Sequence, residues 1–326
     1  MATATTTPGR QGAAERAAEL NIISRKQRSL WADAWWRLRR NKAAVLGMVV
    51  VVLFMVTAII SPFLSQWGIL NQPTFVKTSD ALMDPIWVQS KFTNAAYPLG
   101  SDQLGRDILT RLMWSTQISM LVGFVPVAII FLMGVTIGLV SGYYGGWIDQ
   151  ILMRITDVIY AFPDLLFLFI IMATLRNTAL GDIQGGLLLI FIAIAIVNWV
   201  GMARLVRGQV LSLKEREFVE AARAIGAPAR RIMARHLFPN LLAPVIVSVA
   251  FGIPNAMLAE AVLSFYGIGI KPPTPSWGVM INEGFTVFST TPWPVMLPAV
   301  CISIVMLAFT FLGDGLRDAL DPRMKI

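Results

Sequence analysis

Six apolar stretches, each close to the length that crosses a bilayer as a helix, decide what this chain can fold into. They cover about residues 43–60, 118–140, 155–175, 185–202, 241–263 and 293–312. A hydrocarbon core about 30 Å thick takes roughly 20 helical residues. Lipid offers no partner to a backbone amide, so each stretch has to satisfy its own and should be helical. The third is the weakest, because Asp157, Pro163 and Asp164 interrupt its start. The remaining composition agrees: 56% of residues are hydrophobic and 14% charged, against about 25% charged in soluble domains. The predicted fold class is an all-α polytopic membrane protein with about six transmembrane helices.

The net charge of +8 does not point to nucleic acid, since no DNA- or RNA-binding motif accompanies it. The basic residues stand in blocks beside the apolar runs, which is a topology signal and names the lipid bilayer as the first partner. With six spans, 21 of the 27 lysines and arginines fall on the side that holds both termini and 6 on the other. The positive-inside rule then predicts cytoplasmic N- and C-termini. The chain divides into a basic cytoplasmic segment (1–42), a first span with a long external loop (43–117), a transmembrane core that contains the loop 203–240 (118–314) and a cytoplasmic tail (315–326). Residues 1–12, rich in Thr, Ala and Gly, are expected to be disordered, and no cleavable signal sequence is expected in the polar, basic N-terminal forty residues. One cysteine, Cys301, and one histidine, His236, leave nothing for an intrachain disulfide and almost nothing for a zinc site.

Within the spans, Gly134 and Gly138 have the small-xxx-small spacing that lets a second helix approach. Ser61-Pro62 should end the first span. Asp157, Asp164 and Glu260 lie near span ends within reach of water, and a structural or interfacial role is expected for them. Asn198 is a candidate for a hydrogen bond across helices.

The loop 203–240 is the most charged segment after the N-terminus. Acidic residues open its stretch 215–226 and Arg223 stands near the end, matching a helix dipole. Phe218, Ala222 and Ile225 fall at helical spacing as one apolar stripe. Gly226 suits a left-handed C-cap, Pro228 can start a second helix, and that basic helix should end before Pro239. Such a hairpin could lie on anionic lipid or dock in the groove of a cytoplasmic partner, and periodicity does not choose between them.

Glu220-Ala221-Ala222, three residues, Gly226, and further on Phe238-Pro239 resemble the EAA loop of bacterial ABC importer permeases. His236 and Phe238 stand where Ile and Leu are common in that loop. The segment 99–107, with Gly100, Asp102, Gly105, Arg106 and Asp107, is similar to the one preceding span two in the dipeptide/oligopeptide/nickel C-type permeases. So are the segments 142–149 with Ala161-Phe162-Pro163, 263–269 with 272–278, and Asp321-Pro322-Arg323, in the same order. The resemblance implies a type I ABC importer fold in which the loop forms a coupling helix seated on an ATPase. The residues it marks for that role are Phe218, Glu220, Ala221, Ala222, Arg223, Gly226 and Pro239. It also implies a homologous second permease subunit, two ATP-binding subunits and an external or periplasmic solute-binding protein, with Arg106 and Asp107 open to contacting that protein or to pairing with each other. No Walker A pattern occurs, so no cofactor is expected in this chain, and ATP and Mg belong to the partner subunits. No catalytic group set is present either. The activity the resemblance implies is transport of di- or oligopeptides across a bacterial cytoplasmic membrane, with nickel chelates or oligosaccharides as the alternative cargo and an ion-coupled secondary transporter as the rival class.

Overall fold

The computed structural model describes residues 30–321 except 71 and 89. The stretch expected to be disordered (1–12), the rest of the basic segment up to residue 29, and Arg323 and Lys325 lie outside the described residues.

Ten helices of eight or more residues organise the described chain: α1 (Leu30–Arg40), α2 (Lys42–Gln66), α3 (Ile108–Tyr144), α4 (Gly146–Tyr160), α5 (Asp164–Leu175), α6 (Leu187–Leu213), α7 (Glu217–Ala224), α8 (Phe238–Phe265), α9 (Trp277–Phe285) and α10 (Trp293–Leu320). Five helical runs are long and apolar enough to cross a bilayer, and the pair α4 and α5 makes a sixth if counted as one broken span. The observed helices outrun the apolar stretches, because a helix continues into the interface where water again satisfies its ends.

Proline does not end the first span. α2 runs through Pro62 to Gln66, and the Ser61 hydroxyl donates to the Ala58 carbonyl (3.5 Å) that the proline leaves without an amide. The third span is where the sequence expectation departs most. α4 and α5 meet at an 82° bend. Pro163 disfavours helical geometry at Phe162 and itself takes extended backbone (φ −60°, ψ 125°) as the N-cap of α5. With 12 residues, α5 covers only about 18 Å, and the segment beyond it completes the crossing: Arg176 donates to Gly267 O and Asp182 pairs with Lys271 (2.7 Å), both in the loop after α8. α4 is tied to the basic end of the bundle instead. Its Asp149 accepts two hydrogen bonds from Arg207 (both 2.6 Å), and its Asp157 pairs with Arg204 (2.7 Å).

Lipid tails supply no hydrophobic drive between helices, so close backbone approach decides which spans meet. Gly134 and Gly138 on α3 face α6, as their spacing predicted, and Gly142 extends the stripe. A Cβ at Gly138 would stand 2.6 Å from the Ala203 carbonyl oxygen, and one at Gly142 2.8 Å from Val210 Cβ. α2 packs along α10, and α8 along α3 and α10. The main core runs through all of them, with Ile108, Met172, Ile190, Ile194, Leu241 and Leu263 fully buried. Asn198 does not cross to another helix. Its amide donates to Ile194 O in its own helix (2.9 Å).

Candidate functional site

Two regions gather the residues singled out in the sequence. The first is the hairpin between α6 and α8, at the end of the bundle rich in arginine. α7 carries Glu217 and Glu220 in its first turn and Arg223 in its last, an arrangement favoured by the helix dipole. Its stop is a Schellman motif. The Ala227 amide donates to Ala222 O (3.0 Å) and the Gly226 amide to Arg223 O (2.9 Å), with Gly226 at φ +77°. A Cβ at Gly226 would meet nothing within 4 Å, so the glycine answers to backbone conformation and not to space.

The hairpin corrects the expected apolar stripe. Val219 and Ala222 are the buried pair, and both join the main core, while Phe218 is 41% and Ile225 85% exposed. A two-turn helix docks through one narrow i, i+3 seam, and here that seam is rotated away from Phe218. Ala222 is therefore small to suit packing inside this chain. Ala221 and Glu220 point outward, so the uncovered face reads Phe218, Ala221 and Ile225, edged by Glu217, Glu220 and Arg223. Arg223 also stacks 5.5 Å over the Tyr143 ring at the end of α3, tying the hairpin to the span core.

The basic second helix does not stop before Pro239. A turn at Ala229–Ile232 passes into a π turn at Met233–Leu237 and then directly into α8, with Pro239 exposed in its first turn. The wider π turn takes up the ring of a residue that has no amide to give. The hairpin is thus a continuous extension of a span, able to pass force to it.

The second region caps the opposite end. Arg106 and Asp107 are 5% and 8% exposed and do not pair with each other. Asp107 caps α3, accepting from the Leu109 and Thr110 amides (3.2 and 3.0 Å). Arg106 donates to Asp102 (2.7 Å) and Glu283 (2.6 Å), and Arg111 reaches the same two carboxylates (2.6 and 2.7 Å). Two guanidiniums and two carboxylates form one buried, balanced cluster that joins the long loop, α3 and α9. Sequence reading missed Asp102, Arg111 and Glu283 as partners. Asp102 and Arg111 stood in or beside the quoted segment, but nothing in the sequence signals that Glu283, 177 residues from Arg106, completes the set. Gly100 belongs to the same cap at φ +84°, where a Cβ would come 2.5 Å from Met83 O.

Glu260 departs from its expected access to water. It is 1% exposed in α8 and accepts hydrogen bonds from the hydroxyls of Ser264 (2.6 Å) and Ser276 (2.7 Å). Ser276 in turn caps α9 through the Val279 amide (3.2 Å). The carboxyl therefore fastens the loop after α8 onto its own span, which is the structural role anticipated for it.

Comparison with known proteins places this geometry. Residues 134–326 match the family described as binding-protein-dependent transport system inner membrane component, and residues 29–79 match the N-terminal TM domain of oligopeptide transport permease C. The chain is 40% identical over 312 residues to the dipeptide transport system permease protein DppC of Bacillus subtilis, covering 95% of this chain and 91% of that one. It is 37% identical over 313 residues to the oligopeptide transport system permease protein OppC of the same organism, covering 96% of each. A glutathione transport system permease protein, GsiD of Pectobacterium atrosepticum, is 35% identical over 309 residues, covering 94% of this chain and 96% of that one. Among solved structures, a chain of the inward-facing MetNI methionine ABC transporter superposes with a TM-score of 0.50 at 17% identity, covering 66% of this chain and 98% of that one. At that identity the likeness speaks to the fold.

Proposed function

Because the chain belongs to the binding-protein-dependent transport system inner membrane component family, within its peptide-permease branch, we propose that it is one of two transmembrane subunits of an ATP-driven peptide importer whose α7 hairpin is the handle of separate ATPases. The observation that carries this reading is the outward face of α7. Ile225 is 85% exposed beside Phe218, on a helix whose other face is locked into the core by Val219 and Ala222. Large apolar groups left uncovered on a rigid mount mark a surface for a protein partner. Glu220 and Arg223 on its edge set the register of docking, Ala221 lets the partner come close, and Gly226 fixes the turn that presents the face. Pro239 lies where the hairpin becomes α8.

In this reading the arginine-rich end faces the cytoplasm, with both termini there, and the membrane is the bacterial cytoplasmic membrane. ATP and Mg are bound by the two ATPase subunits. Closure of those subunits on nucleotide draws the hairpins of this chain and of the second permease together. The rigid connection through the π turn carries the movement into α8 and biases the spans between inward-open and outward-open states. At the other end the cap held by Asp102, Arg106, Arg111 and Glu283 receives the solute-binding protein. Arg106 and Asp107 act there by shaping the cap, since their own hydrogen-bonding groups are engaged inside the chain. Di- and oligopeptides are the cargo, in keeping with what the relatives are named for.

The test is uptake and ATP hydrolysis by the reconstituted complex. Gly226→Asp and Glu220→Lys should leave membrane insertion intact and abolish transport, with the ATPases detached or hydrolysing without regard to the binding protein. Full substrate-stimulated hydrolysis and full uptake by the Gly226→Asp complex would refute the coupling role.

A further inference from the structure

Mid-length along the spans, α3, α6 and α8 enclose a cleft of about 320 Å³, within the size range of small-ligand sites. Its wall carries three uncharged polar side chains, Asn198 on α6 and Ser248 and Asn255 on α8, and no ionisable group.

These polar groups differ from others in the spans. The hydroxyls of Thr57, Thr116, Thr136, Ser303 and Thr310 each donate to the carbonyl four residues back. Ser248 and Asn255 make no side-chain hydrogen bond among the described residues, and Asn198 uses only its NH₂ group, leaving its carbonyl oxygen free. Asn198 and Ser248 are half-buried and Asn255 is exposed, so all three stand open to whatever enters the cleft, and at mid-span, where lipid offers no hydrogen bond, they suit an occupant that supplies donors and acceptors.

The glycines of the cleft point the same way. Gly134 and Gly138 are small because a neighbouring helix fills the space. By contrast, a Cβ at Gly201 would meet nothing within 4 Å, and one at Gly252 would make only ordinary contact with Val127 at 3.5 Å. Internal packing does not require glycine at either position. Both keep the wall of the cleft clear of side chains.

We propose that this cleft is the stretch of the translocation pathway contributed by this subunit, and that Asn198, Ser248 and Asn255 hold passing peptides by their main-chain amides. A carboxamide offers one acceptor and two donors, matching the C=O and N–H that every peptide carries whatever its side chains. The absence of charge in the wall prevents it from favouring acidic or basic cargo. This inference rests on the peptide-importer reading above.

The experiment uses the complete transporter, with its second permease, ATPases and binding protein, reconstituted in vesicles. Uptake of two tripeptides of identical backbone, one with a central lysine and one with a central glutamate, is measured in competition. Asn255→Asp should raise the lysine-to-glutamate uptake ratio by at least about threefold and Asn255→Lys should lower it as much, since a fixed charge at this depth is weakly screened. Gly201→Leu, which meets no atom of this chain at its Cβ, should cut uptake of both peptides by about tenfold or more with assembly and basal hydrolysis retained. An unchanged ratio in both charge variants, or wild-type uptake by Gly201→Leu, overturns the inference. Failure of all three variants to assemble overturns it too, because the cleft would then be a packing surface for the second permease. A wild-type complex that imports neither peptide refutes the peptide-importer reading itself, an outcome distinct from unchanged ratios in a working transporter.

Discussion

Replacing Glu283 by alanine removes the carboxylate shared by Arg106 and Arg111. Both guanidiniums stay buried, with side chains 6% and 3% exposed, and only Asp102 remains to balance them. Removing one partner of a buried ion pair costs about 3–5 kcal/mol, because the charge left behind is neither solvated nor paired. Glu283 is itself 17% exposed, which lets some water replace it and sets the expectation near the lower end, about 3 kcal/mol. That corresponds to roughly a hundredfold more frequent opening of the cap, at about 1.4 kcal/mol per factor of ten. The assay is amide hydrogen exchange of residues 98–111 in the reconstituted protein. The Asp102 amide bonds Arg106 O (3.0 Å), the Arg106 amide bonds the Asp102 carboxylate (3.0 Å) and the Ile108 amide bonds Gly100 O (3.1 Å), so all three report the cap directly. Lys77→Met is the control. Its salt bridge to Asp80 is at the surface, on a lysine 54% exposed, where solvent screening leaves little to lose. Exchange in Glu283→Ala within about twofold of wild type, or no greater than in Lys77→Met, would show that the cluster does not hold the cap and would refute the reasoning.

Gly138→Leu should prevent α3 from seating on α6, since the first added atom already falls 2.6 Å from Ala203 O. Overpacking of this kind costs about 1–3 kcal/mol or more, visible as a lower unfolding temperature in detergent, whereas Gly208→Leu, open within this chain, should be tolerated. The Tyr97 phenol is held above the usual tyrosine range, first by desolvation and then by its hydrogen bond to Asp80 (2.9 Å). A raised folded-state value means that the stability Tyr97 contributes is present below about pH 10, its unfolded value, and is lost as pH rises through the folded value. Asp80→Asn should therefore bring the phenolate absorbance of Tyr97, read as the difference from Tyr97→Phe, to lower pH; no change would sever the pair.

The spans were legible because a bilayer imposes a requirement that each segment meets on its own. A run such as 293–312 has to be apolar and helical whatever surrounds it, so its position could be read without knowing its neighbours. Local backbone chemistry was legible for the same reason. Gly226 caps α7 as expected, and Gly134 and Gly138 meet a helix as their spacing implied. The errors fall where the answer depends on a partner. Phe218 and Ile225 look like a buried stripe by periodicity, yet the narrow seam through Val219 and Ala222 is the one the core accepts. Ser61-Pro62 looks like a stop, yet a hydroxyl one residue away covers the freed carbonyl.

The sequence by itself determined the membrane setting, the number of crossings to within the broken third one, and the hairpin that carries the family motif. Each follows from interactions a few residues long or from the bilayer acting on single segments. Only the tertiary structure decided that Arg106 reaches Glu283, that Glu260 is sealed from water by two serines, and that Asn198, Ser248 and Asn255 share one cleft. Those are meetings between helices, and a helix that is apolar on all sides does not declare in its sequence which face will find which neighbour.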